Sequence, residues 1–441
     1  MKKFNLYRYL GKSFLCPYCG LQHHIPVKAL VTEKNAIMSL PDIVSDFIKG
    51  DNVLILCDNN TFIVAGARCQ KILSKHFNVS ILILLPAETE EKVYAEENLF
   101  PLILRKLKKK DVIITVGSGT ITDLGKYSAD KMNIPLICVP TAPSMNAYTS
   151  GVAAFISKNL KKTVPVKPAT AVLTDIDIIS QAPLEMIKSG FADSLARSFA
   201  NADWKLSSFI TGENFCDLPF EIAKKLEADY IGKGTNILKR EKKTIVKLME
   251  SLHLGGLSMV LAGSSSPASG GEHLISHFLD MVAHRNKKDT FSLHGLQVGL
   301  GIIVSATIYE RLKEMNTKDV EKLLRVHKVD YDDARIFIRK NFRSEEEFNK
   351  KLSLLSILRK KLPFIWDDLK QEVFPMVVGV EKIKHALKNA GCPIKFSEIG
   401  VDRDLAYNAI KYSRFVRNRL TILDVAGEIG ILPEIARNLS E

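Results

Sequence analysis

The segment Ser269-Gly270-Gly271-Glu272-His273-Leu274-Ile275-Ser276-His277 sets a glycine pair before two histidines four residues apart. On a helix such positions share one face, so both imidazoles point into the same space. Leu293-His294-Gly295 opens a further apolar helical segment, and Gly190-Phe191-Ala192-Asp193-Ser194-Leu195-Ala196 puts a lone carboxylate at a helix start among small and apolar neighbours. One Asp and two or three His, each near a helix start, can form an open nitrogen/oxygen site with room for water or substrate, which is what a Lewis-acid metal requires. Each residue also has a plainer reading: Asp193 as an N-cap, His273 and His277 as histidines satisfied by their neighbours. His253, His284 and His327 have no evident partners and read as structural or surface residues.

A second pattern suits a dinucleotide. Ile113-Ile114-Thr115-Val116-Gly117-Ser118-Gly119-Thr120-Ile121-Thr122-Asp123 is an apolar strand running into a glycine-containing turn and then a helix through Lys126 and Tyr127. Glycines let backbone approach a pyrophosphate, and the open N–H groups of a helix start bind it. The strict GxGxxG fingerprint is not met, because Thr122 stands at the third glycine. Two other strand ends add compatible groups: Asp58 after Val53–Leu56, and the hydroxyl-rich Pro140-Thr141-Ala142-Pro143-Ser144 after Leu136–Val139. Ligands of open α/β sheets bind outside the carboxyl ends of the strands. For Asp58 alone, an Asx turn is the simpler account.

Cys16-Pro17-Tyr18-Cys19-Gly20-Leu21-Gln22-His23-His24 could supply zinc ligands from Cys16, Cys19 and His23. A structural zinc needs four, and no second CxxC or HxxxC lies within knuckle distance, so the expectation here is a tight turn between two short strands.

The elements that must carry these groups fall into two regions. Val53–Leu56, Val79–Leu85, Val112–Val116 and Leu136–Val139 are compact, β-branched runs separated by helical spacing such as Phe62–Phe77. That rhythm predicts βαβ units and a mainly parallel sheet. Residues 152–180 read as a hairpin-like excursion and one more strand, Ala171–Leu173; from Pro183 onward long helical segments follow one another. The expected organisation is an α/β dinucleotide-binding domain over 1–185 and an all-helical metal- and substrate-binding domain over 186–441, a length that one core does not serve. No apolar run approaches the roughly eighteen residues of a membrane span, and the MKKFNLYRYLGK start has no signal-peptide pattern. Seven scattered cysteines suit reduced thiols, hence a cytoplasmic setting. Lys and Arg number 62 against 49 Asp and Glu, a net charge of +13 that concentrates anions without choosing among them. The densest basic run, Arg105–Lys110, suits a helix C-terminus, so nucleic acid is not expected as a partner.

Taken in order, VGSGTITDLGKY, VPTAPSMNAYTS, DIDIISQAP, GFADSLA, SSSPASGGEHLISHFLD, HGLQVG and RNRLTILDVAGEIG resemble the iron-containing alcohol dehydrogenase and glycerol dehydrogenase superfamily, with its dehydroquinate synthase-like fold. Within it the chain looks most similar to the bacterial branch of the sn-glycerol-1-phosphate dehydrogenases. The resemblance implies that Asp193, His273 and His294 are the protein ligands of a catalytic divalent metal (zinc or nickel ahead of iron), with His277 and Asp193 at the substrate. It implies dinucleotide contacts at Gly117, Gly119, Thr120, Ile121, Thr122, Asp123, Thr141, Ala142, Pro143, Ser144 and Ser150, and an Asp58 near the adenosine ribose. At Asn146 many relatives carry a substrate-contacting Asp; an amide there can hydrogen-bond but not transfer a proton. The implied reaction is NAD(P)H-dependent, reversible reduction of dihydroxyacetone phosphate to sn-glycerol 1-phosphate, for glycerophospholipid synthesis. The metal would polarise the ketone oxygen and His277 would relay a proton. The loop Ser264–Ser269 is a candidate for the substrate phosphate, and a homodimer or larger homo-oligomer is expected. Two alternatives share the fold: a glycerol dehydrogenase acting on an uncharged substrate, and a 3-dehydroquinate synthase-like lyase, whose family has Glu where this chain has Asp193. Asp58 would repel the 2′-phosphate of NADPH, while the basic surroundings would attract it, so NADH and NADPH both stay open.

Overall fold

The structure is a computed structural model that describes residues 5–87, 92–157, 160–286, 290–342 and 345–441. The chain divides into two compact units, one of residues 1–190 and 236–265, the other of 191–235 and 266–441. A single cut near 185 therefore becomes a discontinuous arrangement, because the helix Lys242–Ala262 belongs with the first unit.

The first unit is built on six strands: β1 (Ala29–Glu33), β2 (Asn52–Asp58), β3 (Asn78–Leu84), β4 (Val112–Gly117), β5 (Leu136–Pro140) and β6 (Ala171–Asp175). They lie in the order β1-β6-β5-β4-β2-β3, with parallel pairing throughout. Every residue of β4, β5 and β6 is buried, as continuous apolar runs in a sheet covered on both faces require. β1 escapes a reading by pattern: Ala-Leu-Val-Thr is half-buried at the sheet edge and Glu33 is exposed, so neither alternation nor an apolar run marks it. Beyond the sheet, Val152–Ser157 pairs with Leu160–Pro165 as an antiparallel hairpin, and the basic run closes the helix Phe100–Leu107.

Lys242–Ala262 corrects one expectation. Its 21 residues include a window of mean hydropathy 1.4, long and apolar enough for a membrane span. That window is 72% buried inside the protein, the signature of a core helix that small residues such as Gly255, Gly256 and Ser258 let neighbours approach.

After β6 the described residues contain helices and connections, with no further strand. The helices that matter for chemistry are α1 (Gly119–Met132) in the first unit, α2 (Leu184–Ser194), which ends just inside the second, and three in the second unit: α3 (Arg197–Thr211), α4 (Gly271–Arg285) and α5 (His294–Lys313). α4 and α5 pack against each other, and Gln297 of α5 ties them by donating to Asp280 Oδ1 at 2.8 Å.

Candidate active site

In the second unit, Asp193, His273 and His294 offer ligand atoms that all lie within 4.8 Å of one another. Asp193 is not an N-cap: it sits in the last turn of α2, 1% exposed, where the chain bends before α3. Its Oδ1 lies 3.3 Å from His273 Nε2. His273 is in the first turn of α4, and His294 is the first residue of α5. The imidazole centroids of His273 and His294 are 5.2 Å apart. His277, one turn along α4, lies beside this set, its ring 6.0 Å from His294 and near-parallel to it at 13°.

The ligands are held from behind by residues the sequence did not single out. Glu272, fully buried, accepts from His273 Nδ1 at 2.9 Å and from the Gly270 N–H at 2.7 Å. Ser276 Oγ meets His294 Nδ1 at 3.1 Å. Asp203 accepts from the Gly271 N–H at 2.8 Å, the Ile422 N–H at 2.9 Å and the Tyr309 hydroxyl at 2.7 Å, so the C-terminal Arg417–Gly430 segment helps fix the start of α4. The Gly270 site has no room for a side chain: a Cβ there would sit 2.7 Å from Asp203 Oδ2 and 2.8 Å from Glu272 Oε2. The glycine pair thus serves the carboxylates that brace His273. The signal for Glu272 was its place directly before His273; Asp203 and Tyr309 are distant in sequence and left none.

Electrostatics fit a divalent cation. Burial pulls His273 down, but hydrogen bonds and charge from Asp193 and Glu272 outweigh it and raise its pKa to about 9. Burial works to raise Asp193, yet the His273 bond and the positive charges of His273, His294 and Arg197 hold it below the usual carboxylate range. A metal would displace the His273 proton and complete the pairing. One carboxylate and two imidazoles, each imidazole anchored at its outer nitrogen, leave coordination positions open, as catalytic sites do. Burial and the nearby Glu272 charge push Asp203 up to about 7.

Arg197, four residues after Asp193, was also missed. It opens α3, is 2% exposed, and none of its guanidinium nitrogens is hydrogen-bonded by a described residue. Burial pushes Glu227 up to about 7, against the Ser198 hydroxyl and the Arg197 charge.

The dinucleotide candidates lie in the first unit. β4 ends at Gly117, where a Cβ would stand 2.6 Å from Ile121 Cβ, so only glycine lets the strand turn this tightly into α1. Ser118 caps α1 without a side-chain bond, and the first intrahelical donor is Thr122, to the Ser118 carbonyl. Among the described residues no backbone carbonyl accepts from the Gly119, Thr120 and Ile121 N–H groups, as at helix starts generally, and such a start suits an anion. The Thr141–Ser144 turn is tied to it by the Thr141 N–H on the Gly117 carbonyl at 3.2 Å, and the Tyr148 hydroxyl donates to the Ala142 carbonyl at 2.6 Å. Ile121, Thr122, Ala142, Pro143 and Asn146 are buried, with Ser144 half-buried.

Asp123, Ser150 and Asp58 also make bonds within the first unit. Lys126 Nζ, fully buried, pairs with Asp123 Oδ1 at 2.9 Å and donates to the carbonyls of Ala147 at 2.9 Å and Val152, and to Ser150 Oγ at 3.2 Å. Asp123 and Ser150 therefore help pin residues 147–152 to α1. Burial raises the Asp123 carboxyl, and Lys126 offsets part of that. Asp58 caps the turn Asn59–Thr61, its Oδ1 accepting from the Thr61 N–H at 2.8 Å and hydroxyl at 2.9 Å. His253, read as partnerless, is fully buried, its Nε2 3.2 Å from the Thr174 hydroxyl.

A family model described as iron-containing alcohol dehydrogenase matches residues 31–183. The chain is 30% identical over 408 residues to a glycerol-1-phosphate dehydrogenase [NAD(P)+] of Bacillus subtilis, covering 92% of each. It is 30% identical over 302 residues to the protein of that name from Pyrococcus horikoshii, 68% of this chain and 82% of the relative. Among solved structures it resembles glycerol dehydrogenase from Schizosaccharomyces pombe, with TM-score 0.61, 16% identity, and 94% and 90% of the two chains covered. NADH-dependent butanol dehydrogenase from Thermotoga maritima gives TM-score 0.58 at 14% identity, with 94% and 97% covered. At such identities the two structures speak for the fold.

Proposed function

The chain belongs to the glycerol-1-phosphate dehydrogenase family of the iron-containing alcohol dehydrogenases, and from that premise we propose that it interconverts dihydroxyacetone phosphate and sn-glycerol 1-phosphate with NAD(P)H. The observation that carries this reading is the convergence of buried Asp193 and His273 with half-buried His294, near the Arg197 guanidinium that no described residue hydrogen-bonds. The first unit would hold the dinucleotide through the start of α1 and the Thr141–Ser144 turn, with Asp58 toward the adenosine ribose. Asn146 can hydrogen-bond a substrate hydroxyl but cannot move a proton.

Asp193, His273 and His294 would hold a divalent cation, zinc or nickel, which supplies Lewis acidity toward the substrate carbonyl. Glu272 and Ser276 keep the two imidazoles oriented, so the donor set is preorganised. His277 relays the proton that the carbonyl oxygen needs on reduction, through an imidazole nitrogen. Arg197 offers a buried guanidinium to the phosphate, where two charge-assisted bonds contribute about 1.5–3 kcal/mol each. The serine-rich loop Ser264–Ser269, whose hydroxyls can donate, is a second candidate for that task. The enzyme would act in the cytoplasm as a homo-oligomer and supply glycerophospholipid synthesis; thiol-state cysteines throughout the chain support the first of these.

Side-by-side kcat/KM for dihydroxyacetone phosphate and dihydroxyacetone tests the reading. The phosphorylated substrate should lead by roughly a hundredfold or more. Equal or faster turnover of dihydroxyacetone would transfer the assignment to a glycerol dehydrogenase. Chelation should abolish both activities.

A further inference from the structure

The N-terminal motif that the dehydrogenase chemistry leaves unused has a definite geometry. Ser13–Leu15 and Gln22–His24 pair as an antiparallel hairpin, with Ser13 opposite His24 and Phe14 opposite His23. Its turn is closed by the Gly20 N–H on the Cys16 carbonyl and the Cys16 N–H on the Leu21 carbonyl, each 2.9 Å. Gly20 takes φ +70°, the left-handed conformation that favours glycine, and this bend brings the second thiol back over the first. Cys16, Cys19 and His23 consequently present their ligand atoms within 4.8 Å of one another, and Cys19 Sγ stands 3.2 Å from His23 Nε2.

The imidazole is fixed from its other side. The Leu261 carbonyl, at the end of the helix Lys242–Ala262, works to raise the His23 pKa against the larger lowering by burial, as a carbonyl near the ring does, and the ring rests against Phe14 with centroids 5.8 Å apart. With its Nδ1 proton toward that carbonyl, the ring would turn the Nε2 lone pair to the sulfurs, the arrangement by which metal-binding histidines are usually oriented. Cys16 is 1% exposed, and none of the seven cysteines is in a disulfide. Two soft thiolates and one oriented imidazole on a CxxC turn suit zinc in tetrahedral coordination.

The geometry points to a structural zinc site at Cys16, Cys19 and His23, separate in chemistry from the oxygen/nitrogen set of Asp193, His273 and His294, with its fourth position filled by a donor outside the hairpin. Binding would release the two thiol protons and staple the hairpin, which has only three-residue strands to hold it. It replaces the plain tight turn expected from spacing alone, because the tertiary structure supplies the imidazole orientation that the sequence could not.

The test uses the full-length enzyme. Protein stripped of metal and reloaded with cobalt(II) should show an intense thiolate-to-cobalt charge-transfer absorption, which the Asp193 set, having no sulfur, cannot produce. Elemental analysis should find one zinc equivalent more per chain in the native protein than in C16S or C19S, while both variants keep the Asp193-set metal. Serine replacement of the other five cysteines, one at a time, identifies a fourth thiolate by a drop in the intensity of the same band; unchanged intensity in all five assigns the fourth position to a non-sulfur donor. Native protein that takes up cobalt without this absorption overturns the site, whether or not the variants fold. So does zinc content unchanged in folded C16S and C19S.

Discussion

Replacing Glu272 by Gln isolates the support behind a metal ligand from the ligand itself. Glu272 touches His273 Nδ1 at 2.9 Å and the Gly270 N–H at 2.7 Å, in a fully buried position. Gln has the same shape and can still accept from the imidazole, so the change removes charge and little else. A hydrogen bond to a charged group contributes about 1.5–3 kcal/mol and a neutral one about 0.5–1.5. The His273 bond should therefore weaken by about 1–1.5 kcal/mol, which is roughly tenfold in metal affinity. This is the lower end of the tenfold to hundredfold range for groups that orient metal ligands. Competition titration against a chromophoric chelator above pH 9, where His273 has no proton for the cation to displace, gives the affinity, and kcat at saturating metal should return close to the parent value. Asp193→Asn, which alters a ligand directly, should lose far more and not recover. The parent protein should also bind metal more weakly as pH falls below about 9, because His273 then holds the proton that the cation must displace. An unchanged affinity in Glu272→Gln would refute the orienting role. Recovery as poor as that of Asp193→Asn would mean that Glu272 acts on the reaction itself.

Arg197→Met should cost about 3 kcal/mol, roughly a hundredfold, in kcat/KM for dihydroxyacetone phosphate and little for dihydroxyacetone; equal losses for both, relieved by Glu227→Gln, would reduce Arg197 to a counter-charge for Glu227. Asp58→Asn keeps an acceptor for the Thr61 N–H but removes the charge, so the NADPH-to-NADH affinity ratio should rise, and an unchanged ratio would leave Asp58 as a cap alone. Burial pushes His253 down to about 3 from an ordinary 6.5, so below pH 6.5 the unfolded chain takes a proton that the folded protein refuses. Stability should accordingly fall as pH drops from 6.5 toward 3, by about 1.4 kcal/mol per pH unit from this residue. Denaturant titrations across that window should show a shallower slope for His253→Gln than for the parent, and parallel slopes would count against the assignment.

Several features of this protein were legible along the chain because their signals are local. Strands β2, β4, β5 and β6 announce themselves as short β-branched runs, since strands buried on both faces need continuous apolar sequence, and edge strand β3 was legible through its apolar run Ile81–Leu84. The i, i+4 histidines and the Gly117–Asp123 turn are equally local, and the order of motifs suffices to suggest the family. β1 was silent because its short Ala-Leu-Val-Thr-Glu stretch has neither an apolar run like that of β3 nor alternation, and the helix Lys242–Ala262 joined the first unit through contacts that no local pattern encodes.

The tertiary structure alone decided what each candidate does with its free valences. Asp58 and Asp193 are both carboxylates near a strand or helix end, yet one caps a turn while the other faces His273. Lys126, anonymous in a helix, holds Asp123 and reaches Ser150 across 24 residues, and Asp203, Tyr309 and Ile422 meet across 219. Hydrogen-bond partners of buried polar groups are obligatory, but which distant atom fulfils the obligation depends on how whole helices pack. Sequence thus set the chemistry on offer; packing determined which groups are committed to holding the structure and which remain for a ligand.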